Sequence, residues 1–293
     1  MAHSHLLLGI GTAPAHIDVR RIGFADLKDA LSKGFDDFMA MPTHAMFLCV
    51  IYPVLGFVLA RLAFGYPVFE LIYPIAAGFA LVGPVAALGL YEMSRRREAG
   101  LPVSVANAFD VVQSSSIGAI LTLAFMLFAV FGLWLAVAHA IYIAHFGYAQ
   151  PATIEGFIVD LFATKAGWSM IVIGNAVGFC FAVVALTLGV VSFPLLLDRD
   201  VGAAVALSTS IRAVAANPVV MAAWGFIVAA LLLMGSLPFF LGLTVVMPVL
   251  GHATWHLYRK LVDPVGSPRP EHRPPPKERR YAADFPVNLI RWR

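Results

Sequence analysis

Cysteine and charge are both scarce in this sequence of 293 residues. Its two cysteines, Cys49 and Cys180, lie in apolar runs, so we expect two small buried hydrophobic groups and no disulfide framework. Charged residues make up 13% of the chain, against about a quarter in soluble domains. Hydrophobic residues make up 60%, and the mean hydropathy is +0.83. This composition excludes a soluble globular protein and indicates a chain whose main solvent is lipid.

The N-terminus also lacks the features of a signal peptide. It has no basic stretch before its apolar residues, and the apolar run itself is short. We therefore interpret residues 1–23 as a retained cytoplasmic arm.

Six apolar runs are long enough to cross a bilayer, whose core takes about 20 residues of helix. They cover residues 44–64, 69–92, 117–146, 168–197, 219–237 and 239–257. The links at 65–68 and near Pro238 are so short that each must join two antiparallel neighbours. The fold class expected from the sequence is therefore all-α integral membrane, with about six transmembrane helices arranged as three hairpins.

The basic residues predict the orientation of these helices. Of the 20 lysine and arginine residues, all but Arg61 and Lys165 fall on the side that carries both termini. Because cytoplasmic loops are enriched in basic residues, both termini are predicted to be cytoplasmic. Three regions follow: the arm at 1–23, a six-span membrane domain at 24–262, and a proline-rich basic tail at 263–293 that we expect to be disordered.

A weak internal repeat precedes the hairpins. Ser32 and Pro42 are ten residues apart before the first predicted span, as are Ser208 and Pro218 before the fifth, and residues 108–114 form a weaker copy before the third. Each copy has helical apolar spacing with moderate polarity, which predicts a short amphipathic interfacial helix before each hairpin. The alternative is that helices rich in small residues resemble one another by chance.

Polar groups inside the predicted spans are few. No Asp, Glu, Lys or Arg lies in the middle of any span, which disfavours an ion pump or a proton-coupled carrier. Gly174 and Gly178 form a GxxxG pattern in the fourth span, and this pattern is typical of a helix-packing face. It does not distinguish packing within the chain from packing against a partner.

Two histidines are the only weak candidates for binding a cofactor. His252 and His256 are four residues apart on one face of the sixth predicted span, a spacing that suits a metal or an axial haem ligand. Two ligands alone make a poor metal site, and histidine in the last turn of a helix also interacts favourably with the helix dipole. We therefore predict no metal and no cofactor, and keep haem as the alternative.

Three strings resemble the DUF2189 family, an uncharacterised bacterial family of integral membrane proteins. They are GLYEMSRRREAG at 89–100, SFPLLLDRD at 192–200 and PVLGHATWHLYRK at 248–260. The resemblance extends from about residue 30 to 262. It implies a location in the bacterial inner membrane and supplies no activity.

All three strings lie at predicted cytoplasmic helix ends, where their polar residues could meet. This candidate cluster at the inner interface contains Tyr91, Arg95, Asp198, Arg199, Asp200, His252, His256 and Arg259. The alternative is a network of ion pairs and caps that fixes the hairpins, since charges at helix ends normally serve topology.

We predict a non-catalytic accessory subunit, assembly factor or scaffold of a larger membrane complex. The expected partners are membrane lipids and other integral membrane proteins. Nucleic acid is excluded because no folded basic domain is present. The alternatives are a transporter for a lipid-like or apolar solute, favoured by proline-interrupted helices, and a haem- or metal-binding redox subunit that uses His252 and His256.

Overall fold

The computed structural model describes residues 17–41, 71–148, 153–237 and 240–262. The regular structure in these ranges is helical, apart from one isolated antiparallel bridge between Val19 and Val262. The helices are α1 (Phe24–Ala40), α2 (Ile72–Phe79), α3 (Gly83–Ala86), α4 (Leu88–Glu98), a 3₁₀ helix (Val105–Gln113), α5 (Ile117–Phe146), α6 (Ile154–Ala163), α7 (Lys165–Gly189), α8 (Ser192–Asp198), α9 (Gly202–Ala216), α10 (Pro218–Ser236) and α11 (Leu243–Leu261).

Three helical stretches in this part of the chain are long and apolar enough to cross a membrane. They are α5, the α7–α8 stretch Lys165–Asp198, and α10. They correspond to the third, fourth and fifth predicted spans, and α5 has the predicted bounds. The all-α membrane class is therefore confirmed. The first predicted span, 44–64, lies outside the described residues.

Two of the predicted spans are interrupted where proline occurs. The second consists of α2, α3 and α4, separated by turns at residues 80–82 and 87, with Pro84 in the first turn of α3. The fourth breaks at 190–191, just before Pro194 in α8. Proline has no N–H to continue a helical ladder, which accounts for breaks beside it. Pro248, in contrast, lies inside α11 without ending that helix.

The three segments predicted as amphipathic helices are all helical, and we call α1, the 3₁₀ helix and α9 the elbows. Among the described residues, each elbow has its most extensive contact with a helix other than the predicted span directly after it. The contacts are α1 on α11, the 3₁₀ helix on α4, and α9 on α8. The first elbow therefore closes the structure against the last helix.

Glycine permits the closest of these contacts. A Cβ atom at Gly34 would lie 2.5–2.7 Å from the N, Cα and Cβ atoms of Ala253, so α1 and α11 touch backbone to backbone. At the second elbow, a Cβ on Gly89 would lie 3.0 Å from the Cβ of Ala108. The segment before α1 joins the same contact, because the Arg20 N–H donates to the Leu261 carbonyl at 2.8 Å.

The most densely packed region lies at the end of the bundle where the elbows meet α4, α8 and α11. Its largest fully buried side chains include Trp224, Trp255, Tyr91, Tyr258 and Phe193. Away from this end the helices are far less covered. Only 28% of the residues in the most apolar stretch of α5, and 22% of those in that of α10, are buried. Most of their side chains are therefore at least partly exposed.

One helix was not predicted from the sequence. α6 lies in the connection between the third and fourth spans, where Thr153 caps it by accepting the Gly156 N–H at 3.0 Å. Phe157 packs edge-on against Tyr142 and Phe146 of α5. The ten residues of α6 were too few to stand out beside the long apolar runs.

The glycine contact between α1 and α11 gives a graded prediction for stability. Gly→Ala inside a helix normally stabilises by up to about 1 kcal/mol. At Gly34 the contact with the Ala253 backbone outweighs this gain, so we expect Gly34→Ala to destabilise by about 1–3 kcal/mol. Thermal unfolding of the full chain in mild detergent measures the effect.

Gly132→Ala is the matched control, since a Cβ there meets nothing within 4 Å. It should leave the unfolding midpoint unchanged or raise it. Equal midpoints for the two variants would contradict the close contact between α1 and α11.

Candidate functional site

Asp37 is buried because of its position on the core face of α1. That face consists of Leu27, Ala30, Gly34, Asp37 and Phe38, which recur at helical spacing. The helix must bury this face against α11, and the carboxylate enters with it. Asp37 is only 3% exposed, whereas its neighbour Asp36 lies on the exposed side.

Two helices, α4 and α11, supply the partners of Asp37. The Ser94 hydroxyl of α4 donates to Oδ2 at 2.6 Å, and His256 Nε2 of α11 lies 2.9 Å from the same oxygen. The Arg97 guanidinium donates to Oδ1. Together with His252, these residues form what we call the Asp37 network, and it ties α1 to both α4 and α11.

His252 joins this network through Ser94. Its Nδ1 lies 2.8 Å from the Ser94 oxygen, and its side chain is fully buried. Ser94 gives its single proton to Asp37, so its oxygen accepts from His252 and the hydrogen bonds assign the His252 proton to Nδ1. Each of the two histidines therefore has one ring nitrogen that is hydrogen-bonded within the protein.

The hydrogen bonds to Asp37 keep it charged. Burial by itself opposes ionisation of the carboxyl, but the hydrogen bonds from His256 and Ser94 outweigh it and hold the pKa of Asp37 below its ordinary value. Asp37 is thus an anion at neutral pH, with a serine, a histidine and an arginine arranged around it.

A second network surrounds Asp198 at the end of α8. Its Oδ2 accepts a hydrogen bond from the Tyr258 hydroxyl at 2.7 Å and one from Arg259 at 3.2 Å. Arg259 also donates to Glu98 at 3.0 Å, and the Trp255 indole donates to the same carboxylate at 2.9 Å. We call these residues the Asp198 network, and it joins α4, α8 and α11.

Two further ion pairs involve the arginine run of α4. Glu92, buried in the same helix, accepts two 2.7 Å hydrogen bonds from Arg95, and these raise the pKa of Arg95 although its burial acts against the charge. Arg96 reaches the second elbow, where it lies 3.3 Å from Asp110 and donates to the Pro102 carbonyl at 3.0 Å.

The residues predicted to cluster are divided between these networks. His252 and His256 belong to the Asp37 network, whereas Asp198, Arg259 and Arg199, whose Nε lies 3.6 Å from Asp198 Oδ2, belong to the other. The remaining three lie nearby. Tyr91 is buried beside Thr254, Arg95 pairs with Glu92, and Asp200 is half-buried without a hydrogen bond to either network.

Sequence reasoning missed several members of the two networks. They are Asp37, Ser94, Arg97, Glu98, Trp255 and Tyr258. For Asp37 a signal was present, because it occurs at an apolar position of α1 while Asp36 does not. The others lie within or beside the strings that carry the family resemblance and are distinguished there by no spacing of their own.

The glycines predicted as a packing face behave differently from each other. Gly178 packs within the chain, since a Cβ there would lie 3.1 Å from the Trp134 ring of α5. A Cβ at Gly174 would meet nothing within 4 Å. Of the two glycines in the GxxxG pattern, only Gly178 therefore lies in the contact between α5 and α7.

The arrangement suits structural connection better than ligand chemistry. No group of three or more His, Cys, Asp or Glu in the described ranges could hold a metal ion. Asp37, Glu92, Glu98 and Asp198 each accept hydrogen bonds from a basic or hydroxyl side chain of the same chain. Asp37 and Asp198 are buried and pair with residues of other helices, and charges paired in this way fix the helices relative to one another.

The buried Asp37 network predicts that substituting Asp37 by the similarly shaped Asn strongly lowers the stability of the protein. Asp37→Asn keeps the shape of the side chain but removes the charge that Arg97 and His256 face, so we expect a loss of roughly 3–5 kcal/mol of stability. Asp36→Asn, one residue away and exposed, should change stability by no more than about 0.5 kcal/mol. Thermal unfolding in detergent compares the two, and similar losses would contradict the burial of Asp37.

The hydrogen bond between Tyr258 and Asp198 gives a second measurable effect. Tyr258→Phe should cost about 1.5–3 kcal/mol, because the hydroxyl donates to a charged acceptor away from water. Tyr148→Phe, at an almost fully exposed tyrosine, is the control and should have no effect. An unchanged unfolding midpoint for Tyr258→Phe would show that this contact adds nothing to the α8–α11 junction.

Comparison with known proteins confirms the resemblance for the first string and for most of the second, whereas the third, at 248–260, lies outside the matched residues. The model of the DUF2189 family, described as a predicted integral membrane protein, matches residues 72–198, from α2 to the end of α8. This range is somewhat under half of the chain. No curated protein and no solved structure matches.

Proposed function

We propose that this chain, which the DUF2189 family model matches over 72–198, is a non-catalytic accessory subunit, assembly factor or scaffold of a larger membrane complex. The observation that carries the proposal is the contrast between its two kinds of surface. Most buried polar groups of the helix ends hydrogen-bond within the chain, with His252 Nε2 as an exception, whereas most side chains of α5 and α10 are at least partly exposed.

The polar half of this contrast concerns the Asp37 and Asp198 networks. Catalysis needs a reactive group that substrate can reach, but Ser94 and His252 are fully buried, and both bond to neighbours in the chain. Such networks support a rigid platform. This favours a role in which the chain is recognised by other proteins.

The apolar half concerns α5, α7 and α10. Phe125 of α5, Phe179 of α7 and Phe226 of α10 are all largely exposed. In an isolated chain lipid would cover these faces. In a complex one of them would pack against the helices of a partner, where van der Waals contact replaces lipid contact.

We further propose the finer topology: six spans in three hairpins in the bacterial inner membrane, each preceded by an elbow, with both termini cytoplasmic. The bridge between Val19 and Val262 supports the shared location of the termini. It brings together the segment before the first elbow and the end of α11, so the arm and the tail leave from the same end. The basic residues near that end favour the cytoplasm.

A transporter for an apolar solute is the second candidate, favoured by the interrupted helices. The breaks at 80–82, 87 and 190–191 resemble the discontinuous helices that line transporter binding sites. This candidate requires a chain that works alone, and the same experiment therefore separates the two proposals.

The experiment places a photo-crosslinking amino acid at Phe125, Phe179 or Phe226 in the full chain, expressed in native membranes. Illumination, affinity purification and mass spectrometry identify the adducts. The accessory role predicts one discrete protein adduct at one of the three faces and lipid adducts at the others. Phe181 is the matched control on α7, because it packs against Trp134 and should give adducts only within the chain.

The yield of the adduct decides the outcome. A protein adduct that accounts for most of the crosslinked chain, with the same partner co-purifying in mild detergent, supports the accessory role. Lipid adducts alone at all three faces, together with a chain that purifies without a partner, would contradict it and favour transport.

A further inference from the structure

The second elbow separates its side chains into three distinct rows. A 3₁₀ helix has three residues per turn, so side chains three apart lie directly above one another. Its buried row contains Ala108 and Val111, which pack towards α4. A polar row contains Asn107, Asp110 and Gln113, and an apolar row contains Ala106, Phe109 and Val112. Phe109 and Val112 are both more than half exposed.

The first elbow, α1, has the same three faces at α-helical spacing. Its core face packs on α11, and a polar face carries Asp29, Lys33 and Asp36. Between them runs a row at 24, 31, 35 and 39, made of Phe24, Leu31, Phe35 and Met39. Phe24, Phe35 and Met39 are each more than half exposed, although they are large and apolar.

The third elbow, α9, repeats the arrangement. Its core face packs on α8, while Ser208 and Arg212 lie to one side. The apolar row contains the half-buried Leu207 and the exposed Ile211 and Ala215. A helix in water needs two faces, one buried and one polar. Each elbow has an exposed apolar face besides its buried and polar faces. This indicates that each elbow meets lipid on one side and water on the other.

The apolar rows continue onto helices whose surface lipid must cover. After the 3₁₀ helix, exposed Leu121 and Phe125 extend the row along α5. After α9, exposed Val219 and Phe226 extend it along α10. Because α5 and α10 are long and apolar enough to cross a membrane, the second and third elbows each lie directly before a helix that lipid can cover.

We propose that the three apolar elbow rows insert into the headgroup–acyl boundary of one leaflet and form a collar of lipid contacts around the packed end of the protein. The occupant is the phospholipid itself. The polar rows face water on the other side, as they do in amphipathic helices that lie in the membrane plane. Lys28, placed between Phe24 and Phe35 on α1, extends its charged end to the headgroups from within the apolar row.

This collar is independent of the accessory role, because a partner would bind to the span faces. In this proposal the Asp37 network has a second role, which is to orient the first elbow towards the lipid. The network holds the core face of α1 against α4 and α11, so it also fixes the angle at which the Phe35 side of α1 meets the lipid. The depth of the collar is thus set by contacts inside the protein.

The test uses spin labels in the full chain, reconstituted into phosphatidylethanolamine and phosphatidylglycerol vesicles. In a background that carries Cys49→Ala and Cys180→Ala, single cysteines replace Phe35, Phe109 or Ile211 in the apolar rows. Lys33 and Gln113 give matched controls on the polar side of the first two elbows, and Ile211 is compared with both. Collision rates with oxygen, which enters lipid, and with a water-soluble nickel chelate are then compared.

We expect the oxygen-to-nickel ratio to be several-fold higher at each apolar-row position than at its control. High nickel collision at the apolar rows would show that water covers them and would overturn the proposal. Low collision with both reagents would show that protein covers them, which overturns it equally. Met39, Val112 and Ala215 supply second positions in the same rows if a first variant does not reconstitute.

Discussion

The contact between α1 and α11 brings the start of the described chain against its end. Gly34 and Ala253 meet without a side chain between them, and this short distance brings Asp37 within reach of His256. The backbone bond from Arg20 to Leu261 and the ion pair between Asp29 and Lys260, at 2.9 Å, lie along the same seam. If this seam opened, the carboxylate of Asp37 would lose His256, and the first elbow would lose its most extensive contact.

The charged residues at the helix ends act as connections between elements that are far apart in sequence. Asp198 joins α8 to α11, Glu98 joins α4 to α11, and Arg96 joins α4 to the second elbow. Burying such charges is costly unless each is paired and hydrogen-bonded, and breaking a pair is costlier still. The same chemistry that makes these groups unavailable to a substrate therefore makes the packed end rigid.

Both proposals follow from the division between this rigid end and the outward-facing helices. An end whose charged groups are mostly paired within the chain is rigid, so it presents the same surface to a partner or to a lipid leaflet. The elbows place apolar rows beside the connections that hold them. Their orientation is therefore fixed by folding before any lipid is bound.

The sequence by itself established that lipid surrounds much of the chain, that the regular structure is helical, and where many of the helices lie. Hydropathy and spacing are local properties, so they located α5 to the residue and predicted helical elbows before two helices that can span. They placed the sixth span four residues before α11, which is not among the helices apolar enough to cross a membrane, and they missed α6, whose apolar run is too short to stand out. The first predicted span and the tail lie outside the described residues.

Only the tertiary structure decided which polar groups meet. Asp37 and His256 are 219 residues apart in sequence, and Asp198 and Tyr258 are 60 apart, so no local pattern could pair them. The sequence placed eight residues in one layer at the helix ends. Folding placed five of them in two networks and left outside both Tyr91, Arg95 and Asp200. It also added Asp37, because the packing of α1 on α11 sets which carboxylate faces which cation. Side-chain partners depend on distances between elements, and those distances exist only once the helices have packed.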